Sequence, residues 1–185
     1  MSVFKKVLLI GGIIIALLIL IPLIAALFIS KDYAVEREII IDRPVADVFE
    51  YLKYLRNQDN FSKWATLDPD MRQEFSGIDG TVGFKSSWEG NKDVGKGEQT
   101  IVNIVEGKRI DYEIRFIEPF EAIADSYMST EPVSENQTKV IWAFSSTMPY
   151  PFNIMRVFMN LDDAIGEDLY VGLVNLKTIL EGESK

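Results

Sequence analysis

The 185-residue chain contains no cysteine and no histidine. Without cysteine there are no disulfides, no thiolate nucleophile and no acceptor for a lipoprotein acyl group. Without histidine there is no His-based triad, no imidazole ligand for haem and no zinc centre of the usual kind. Carboxylates are scattered rather than clustered, so neither a metal nor any other cofactor is expected. Basic residues are scarce as well: 19 Lys and Arg stand against 28 Asp and Glu, a formal net charge of -9. Lys5, Lys6 and Lys31 flank one apolar run, which leaves 16 basic against 28 acidic residues from Asp32 onward. No basic tract occurs. Such a surface repels phosphate backbones, so nucleic acid is not an expected partner.

What the chain has in excess lies at its start. Val7 to Ile29 is an uncharged apolar run of 23 residues. As a helix it would span roughly 35 Å, enough to cross a hydrocarbon core of about 30 Å with some tilt. Pro22 would be tolerated in such a helix. The run exceeds the apolar part of a signal peptide, and no small-x-small cleavage site precedes Tyr33. The reading is an uncleaved single-pass anchor over residues 1–31, meeting the membrane through Val7 to Ile29, followed by one folded domain over residues 32–185. The short basic tail ahead of the helix favours placing that domain on the extracytoplasmic side.

Beyond the anchor the periodicity changes. Tyr33–Ile41 alternates and ends in β-branched residues, as a strand does. Asp42-Arg43-Pro44 then opens a helix with Val45, Val48, Phe49, Leu52 and Leu55 at helical spacing. A second short helix is expected over Asp59–Thr66. Six strands follow: Met71–Phe75, Thr81–Trp88, Gly97–Val105, Arg109–Ile117, Ala122–Thr130 and Thr138–Met148. Glycine- and asparagine-rich turns separate them, as in an antiparallel meander. In the fourth, Ile110, Tyr112, Ile114 and Phe116 alternate with Asp111, Glu113 and Arg115, giving one apolar and one wet face. A helical stretch from Phe152 to about Glu181 carries Ile165, Leu169, Leu173, Leu176 and Leu180 as one stripe, which suits it to cover that face.

Five marks in this order carry a family likeness. They are Ile41-Asp42-Arg43-Pro44-Val45-Ala46-Asp47-Val48-Phe49, Phe61-Ser62-Lys63-Trp64, Gly95-Lys96-Gly97-Glu98, Thr138-Lys139-Val140-Ile141-Trp142 and Gly172-Leu173-Val174-Asn175-Leu176-Lys177. With them the chain resembles the SRPBCC superfamily of START-like helix-grip proteins, and more closely its polyketide cyclase/dehydrase-like branch, from about Tyr33 to Glu181. The resemblance implies an α+β helix-grip fold, an antiparallel sheet wrapped round a long C-terminal helix. It also implies a cup for lipids, sterols, polyketides or other apolar molecules. The anchor is an addition that soluble members lack.

In such a cup the inward aromatic residues Phe84, Trp88, Tyr112, Phe116, Trp142 and Phe144 would line a ligand cavity, joined by Trp64, Met128, Thr130 and Phe158. The hydroxyls of Ser86, Ser126, Thr130 and Ser146 would face the same side, provided the strand register is right. Met155, Phe158 and Met159 would form an adaptable lid at the mouth of the cup. Asp162-Asp163 would cap the long helix.

Chemistry would need an acid or base, and the candidates are Tyr112, Glu98, Glu131 and Asp125, no two of them in a pairing spacing. The sequence therefore favours a binding module for a small hydrophobic or amphipathic molecule over a cyclase- or dehydratase-like enzyme. It leaves open a protein-interaction module whose cup is filled by its own side chains. The protein partner in that case is unknown.

Overall fold

The computed structural model describes residues 3–182. These divide into two compact units, residues 3–33 with 148–160, and residues 34–147 with 161–182.

In the first unit, α1 runs Val3–Ala26, with Pro22 inside it and its apolar side chains exposed. It starts before the uncharged run because Lys5 and Lys6 are good helix formers. It stops short of Ile29 because the chain tightens there into i→i+3 bonds, Leu27 N to Ile24 O and Phe28 N to Ala25 O. The rest of the unit is an irregular segment containing a short 3-10 helix, Phe152–Val157. The continuous helix expected from Phe152 is therefore not formed.

The second unit holds the sheet and the long helix. In chain order it contains β1 (Asp32–Ile41) from Ala34 onward, α2 (Val45–Lys53), two 3-10 helices (Leu55–Asn60 and Lys63–Thr66), β2 (Arg72–Ser76), β3 (Lys85–Glu89), β4 (Lys96–Val105), β5 (Arg109–Glu118), β6 (Ala122–Ser134), β7 (Gln137–Thr147) and α3 (Leu161–Gly182). The strands form one seven-stranded sheet in the order β1-β7-β6-β5-β4-β3-β2, antiparallel along the meander from β2 to β7. This is the helix-grip architecture.

Two expected elements differ. The strand expected from Thr81 begins only at Lys85, because Gly80 and Gly83 take φ of 76° and 92° and turn the chain first. The single helix expected over 59–66 is two 3-10 turns. The first is capped by Asp79, whose Oδ1 and Oδ2 accept from the Leu55 and Arg56 amides at 2.8 and 3.2 Å.

α3 starts at Leu161 with Asp162 and Asp163 in its first turn, where carboxylates suit the exposed amides. Its stripe of Leu169, Leu173, Leu176 and Leu180 is buried against Val48, Phe49, Leu52, Phe61, Ile110, Met128 and Trp142. Its far end is clamped: Arg43 Nε donates to Leu180 O at 2.7 Å, and the Asp42 amide to Glu181 Oε1 at 2.7 Å.

Candidate functional site

Strand register decides which side chains meet under α3. Four rows cross the sheet on its inner face. Trp88 lies opposite Gly97, Gly97 opposite Phe116 and Phe116 opposite Ala122. Ser86, Gln99, Ile114, Ala124 and Ser146 form the next row. Ile101, Tyr112, Ser126 and Phe144 form the third, and Ile104, Ile110, Met128 and Trp142 the fourth. Thr130 continues that face beside Val140. The sheet thus brings the sequence-predicted strand residues onto one surface.

That surface has two unlike halves. In the closed half Phe84, Tyr112, Met128 and Trp142 are fully buried. Trp142 is boxed by Phe61 and Trp64 in edge-on contacts at 5.6 and 5.9 Å between ring centroids, and Phe84 stacks on Phe75 at 6.1 Å. In the open half Trp88, Ile114, Phe116 and Phe144 are only partly buried, alongside the polar Ser86, Gln99 and Ser146. Trp88 meets Phe116 edge-on at 6.2 Å. Its indole lies across Gly97, where a β-carbon would come within 2.4 Å of the ring. Large apolar side chains thus stay accessible on the inner face of the sheet.

The polar groups of the wall are mostly committed. Ser126 Oγ donates to Ala143 O at 2.7 Å and accepts from Trp142 Nε1 at 3.3 Å. Thr130 Oγ1 donates to Gly107 O and Ser146 Oγ to Ile123 O. Among the buried polar groups of the wall the exception is Tyr112. Its hydroxyl is buried with no hydrogen-bond partner, with Gln58 beside it but outside bonding geometry. Burial, with Asp79 and Asp111 nearby, pushes this phenol well above its usual range. Gln58 itself is buried and points its amide at Met128 Sδ, 3.9 Å away. Gln58 and Gln99 escaped the sequence reading: one lies on a 3-10 turn without periodicity, and the other is a lone polar residue in an apolar register.

The candidate acids and bases fall elsewhere. Glu98 alternates with the inner residues Gly97 and Gln99 and pairs with Lys85 at 2.9 Å. Glu131 is ion-paired to Lys139 at 2.7 Å, and Asp125 lies on the outer side of β6. Of the four, Tyr112 alone faces inward. A cleft of about 460 Å³ is lined by the outward Glu36, Arg109, Asp125 and Tyr127 and also by Tyr112, Ser126 and Phe144. Its outward polar groups satisfy one another: Tyr127 donates to Glu36 at 2.5 Å, and Arg109 stacks on the Tyr127 ring while pairing with Asp111. The Glu36 carboxylate raises the Tyr127 phenol pKa. Phe158 belongs to the other unit, where it is 82% exposed.

Several solved structures share the fold. A Nitrosospira multiformis protein matches with a TM-score of 0.54 at 18% identity, over 79% of this chain and 94% of its own. Norcoclaurine synthase from Thalictrum flavum, solved in complex with dopamine and hydroxybenzaldehyde, matches with a TM-score of 0.64 at 8% identity, over 84% of this chain and 90% of its own. The di-domain ARO/CYC StfQ from the steffimycin biosynthetic pathway matches with a TM-score of 0.59 at 13% identity, over 84% of this chain and 52% of its own. No curated protein matches in sequence. The family model described as polyketide cyclase / dehydrase and lipid transport matches residues 33–181, all of the sheet but Asp32 and all of α3 but Gly182. The chain belongs to that family.

Proposed function

We propose that the chain is a membrane-anchored binding module for a small hydrophobic or amphipathic molecule, of lipid, isoprenoid or polyketide-like chemistry, held between the sheet and α3. The observation that carries this reading is the open half of the inner face. There Trp88, Ile114, Phe116 and Phe144 keep apolar surface accessible instead of packing it away. Trp64, Phe84, Met128, Thr130 and Trp142 form the packed floor behind them. The unpartnered Tyr112 hydroxyl is the one group on that floor able to take a polar end of the ligand. Family membership supports the same direction. A catalytic reading is less well served, because Glu98, Glu131 and Asp125 lie off the inner face. The anchor rests on α1, a 24-residue helix long and apolar enough to cross a membrane. The domain is proposed to lie on the extracytoplasmic side.

The test uses the full chain purified in detergent. Native mass spectrometry should reveal a bound small molecule. An apolar fluorescent probe should bind, and Trp88→Ala and Phe116→Ala should each weaken it by about tenfold, roughly 1.4 kcal/mol. No co-purified molecule together with unchanged probe binding in both variants would remove the proposal. For topology, a reporter active on one side of the membrane is fused to the C-terminus; activity only in the cytoplasm would reverse the orientation.

A further inference from the structure

We propose that the segment Met148–Asn160 is a second membrane contact, an interfacial collar whose apolar side chains enter the lipid at the level where α1 leaves it. The inference rests on the reading of α1 as an anchor and adds a surface to it.

The segment is joined to the end of α1 through the backbone groups a helix terminus leaves unsatisfied. Asn153, wholly buried, donates from Nδ2 to Ala26 O at 2.7 Å and Ile29 O at 2.8 Å. Arg156 donates from one terminal nitrogen to Ser30 O at 2.5 Å and Asp32 O at 2.9 Å, and the Met148 amide donates to Lys31 O at 2.9 Å. These bonds hold the segment at the depth of the last turn of α1.

What it presents there is apolar. Phe152 and Val157 are 62% and 63% exposed and Phe158 82%, beside Phe28 of the α1 terminus at 85%. Tyr150, Met155 and Met159 are exposed as well. Exposed aromatics gathered in one short stretch are not typical of a water-facing loop. At a membrane boundary they take the position of an aromatic belt.

Charge distribution agrees. In a domain so rich in carboxylates, no acidic residue occurs between Glu135 and Asp162, and the segment's single charge is Arg156. Arg156 is bound to the carbonyls of Ser30 and Asp32, on either side of Lys31 in the chain, so both cations belong to the stretch that would meet the headgroups. An aqueous face of this domain would carry acids; a lipid-facing one could not, because an ionised carboxylate there is costly.

The absence of cysteine allows a direct measurement. Leu18→Cys, Phe158→Cys and Val133→Cys variants of the full chain carry an environment-sensitive dye and are reconstituted into phosphatidylcholine–phosphatidylglycerol vesicles containing spin-labelled acyl chains. The labels report α1, the segment and the exposed part of β6. The proposal expects lipid quenching at position 158 comparable to that at 18, and none at 133. Quenching at 18 with position 158 as unquenched as 133 overturns the collar and leaves the anchor standing. No quenching at 18 overturns the anchor and the collar with it. A label at 158 unquenched by lipid but self-quenched between chains shows the patch to be a contact with a second copy, which also overturns the proposal. Phe152→Glu combined with Phe158→Glu should make the dye at an additional Val157→Cys site more water-exposed while leaving quenching at 18 unchanged.

Discussion

The indole of Trp142 lies against the backbone of Gly172, so that a β-carbon on that glycine would fall 2.6 Å from Cζ3 of the ring. The close approach lets α3 press onto the packed end of the sheet. Gly172→Ala should therefore destabilise the domain by about 1–3 kcal/mol through overpacking, offset by up to about 1 kcal/mol of better helix propensity. Thermal unfolding of the full chain in detergent measures it. Adding Trp142→Phe should recover part of the loss; an equal loss in the double variant would show that the ring is not what the alanine meets.

Tyr112 offers the opposite case, a variant that should not hurt the fold. Its hydroxyl is buried without a partner, and such a group costs about 1–3 kcal/mol. Tyr112→Phe should leave stability unchanged or raise it by up to that amount. If the hydroxyl orients the ligand, the same variant should weaken binding of a polar-ended ligand more than that of a plain hydrocarbon. A clear loss of stability would mean that the hydroxyl has a partner in solution.

The start of α3 should be sensitive to acid. Arg37 donates to both carboxylate oxygens of Asp162, at 3.3 and 3.0 Å, and to its carbonyl at 2.8 Å. The hydrogen bond from the guanidinium holds the Asp162 carboxyl below its ordinary range. A depressed carboxylate contributes stability that is present above its unfolded pKa and lost as pH falls through the folded one. Unfolding midpoints measured from neutral pH downward should drop, and Asp162→Asn should flatten the acid side of that curve.

Asp59 should behave the other way. Burial raises its pKa, against the hydrogen bond it accepts from Gln73 at 2.9 Å. A raised carboxylate contributes stability that is present below its unfolded pKa and lost as pH rises through the folded value. Asp59→Asn should thus stabilise the chain at neutral pH and have little effect in acid, as read from the same melting curves. Destabilisation at neutral pH would mean that the charge on Asp59 is needed by the fold.

Much of this architecture was legible because β5 and β7 state their faces in alternating residues. Ile110, Tyr112, Ile114 and Phe116 lie on the inner side as their spacing required, and the leucine stripe of α3 shares one core with Ile110 and Tyr112. What the sequence hid depends on local conformation or distant packing. Two glycines with positive φ shortened β3. Asp79 caps a turn more than twenty residues away, which no local pattern reveals. Nor could spacing tell which half of the inner wall would be packed. That is settled by Phe61 and Trp64, which arrive from short 3-10 turns and occupy the space beside Trp142.

The strand order has a consequence for biosynthesis. Every neighbour from β2 to β7 follows its partner directly in the chain, whereas β1 must wait for β7 before it has anything to bond. Until Gln137 and its successors emerge, Val35, Ile39 and Ile41 remain on an open ribbon that any other unfinished chain can pair with. A nascent chain stalled within β6 would thus still hold its earliest strand unpaired, and the seam between β1 and β7 is the strand pairing that closes the longest loop.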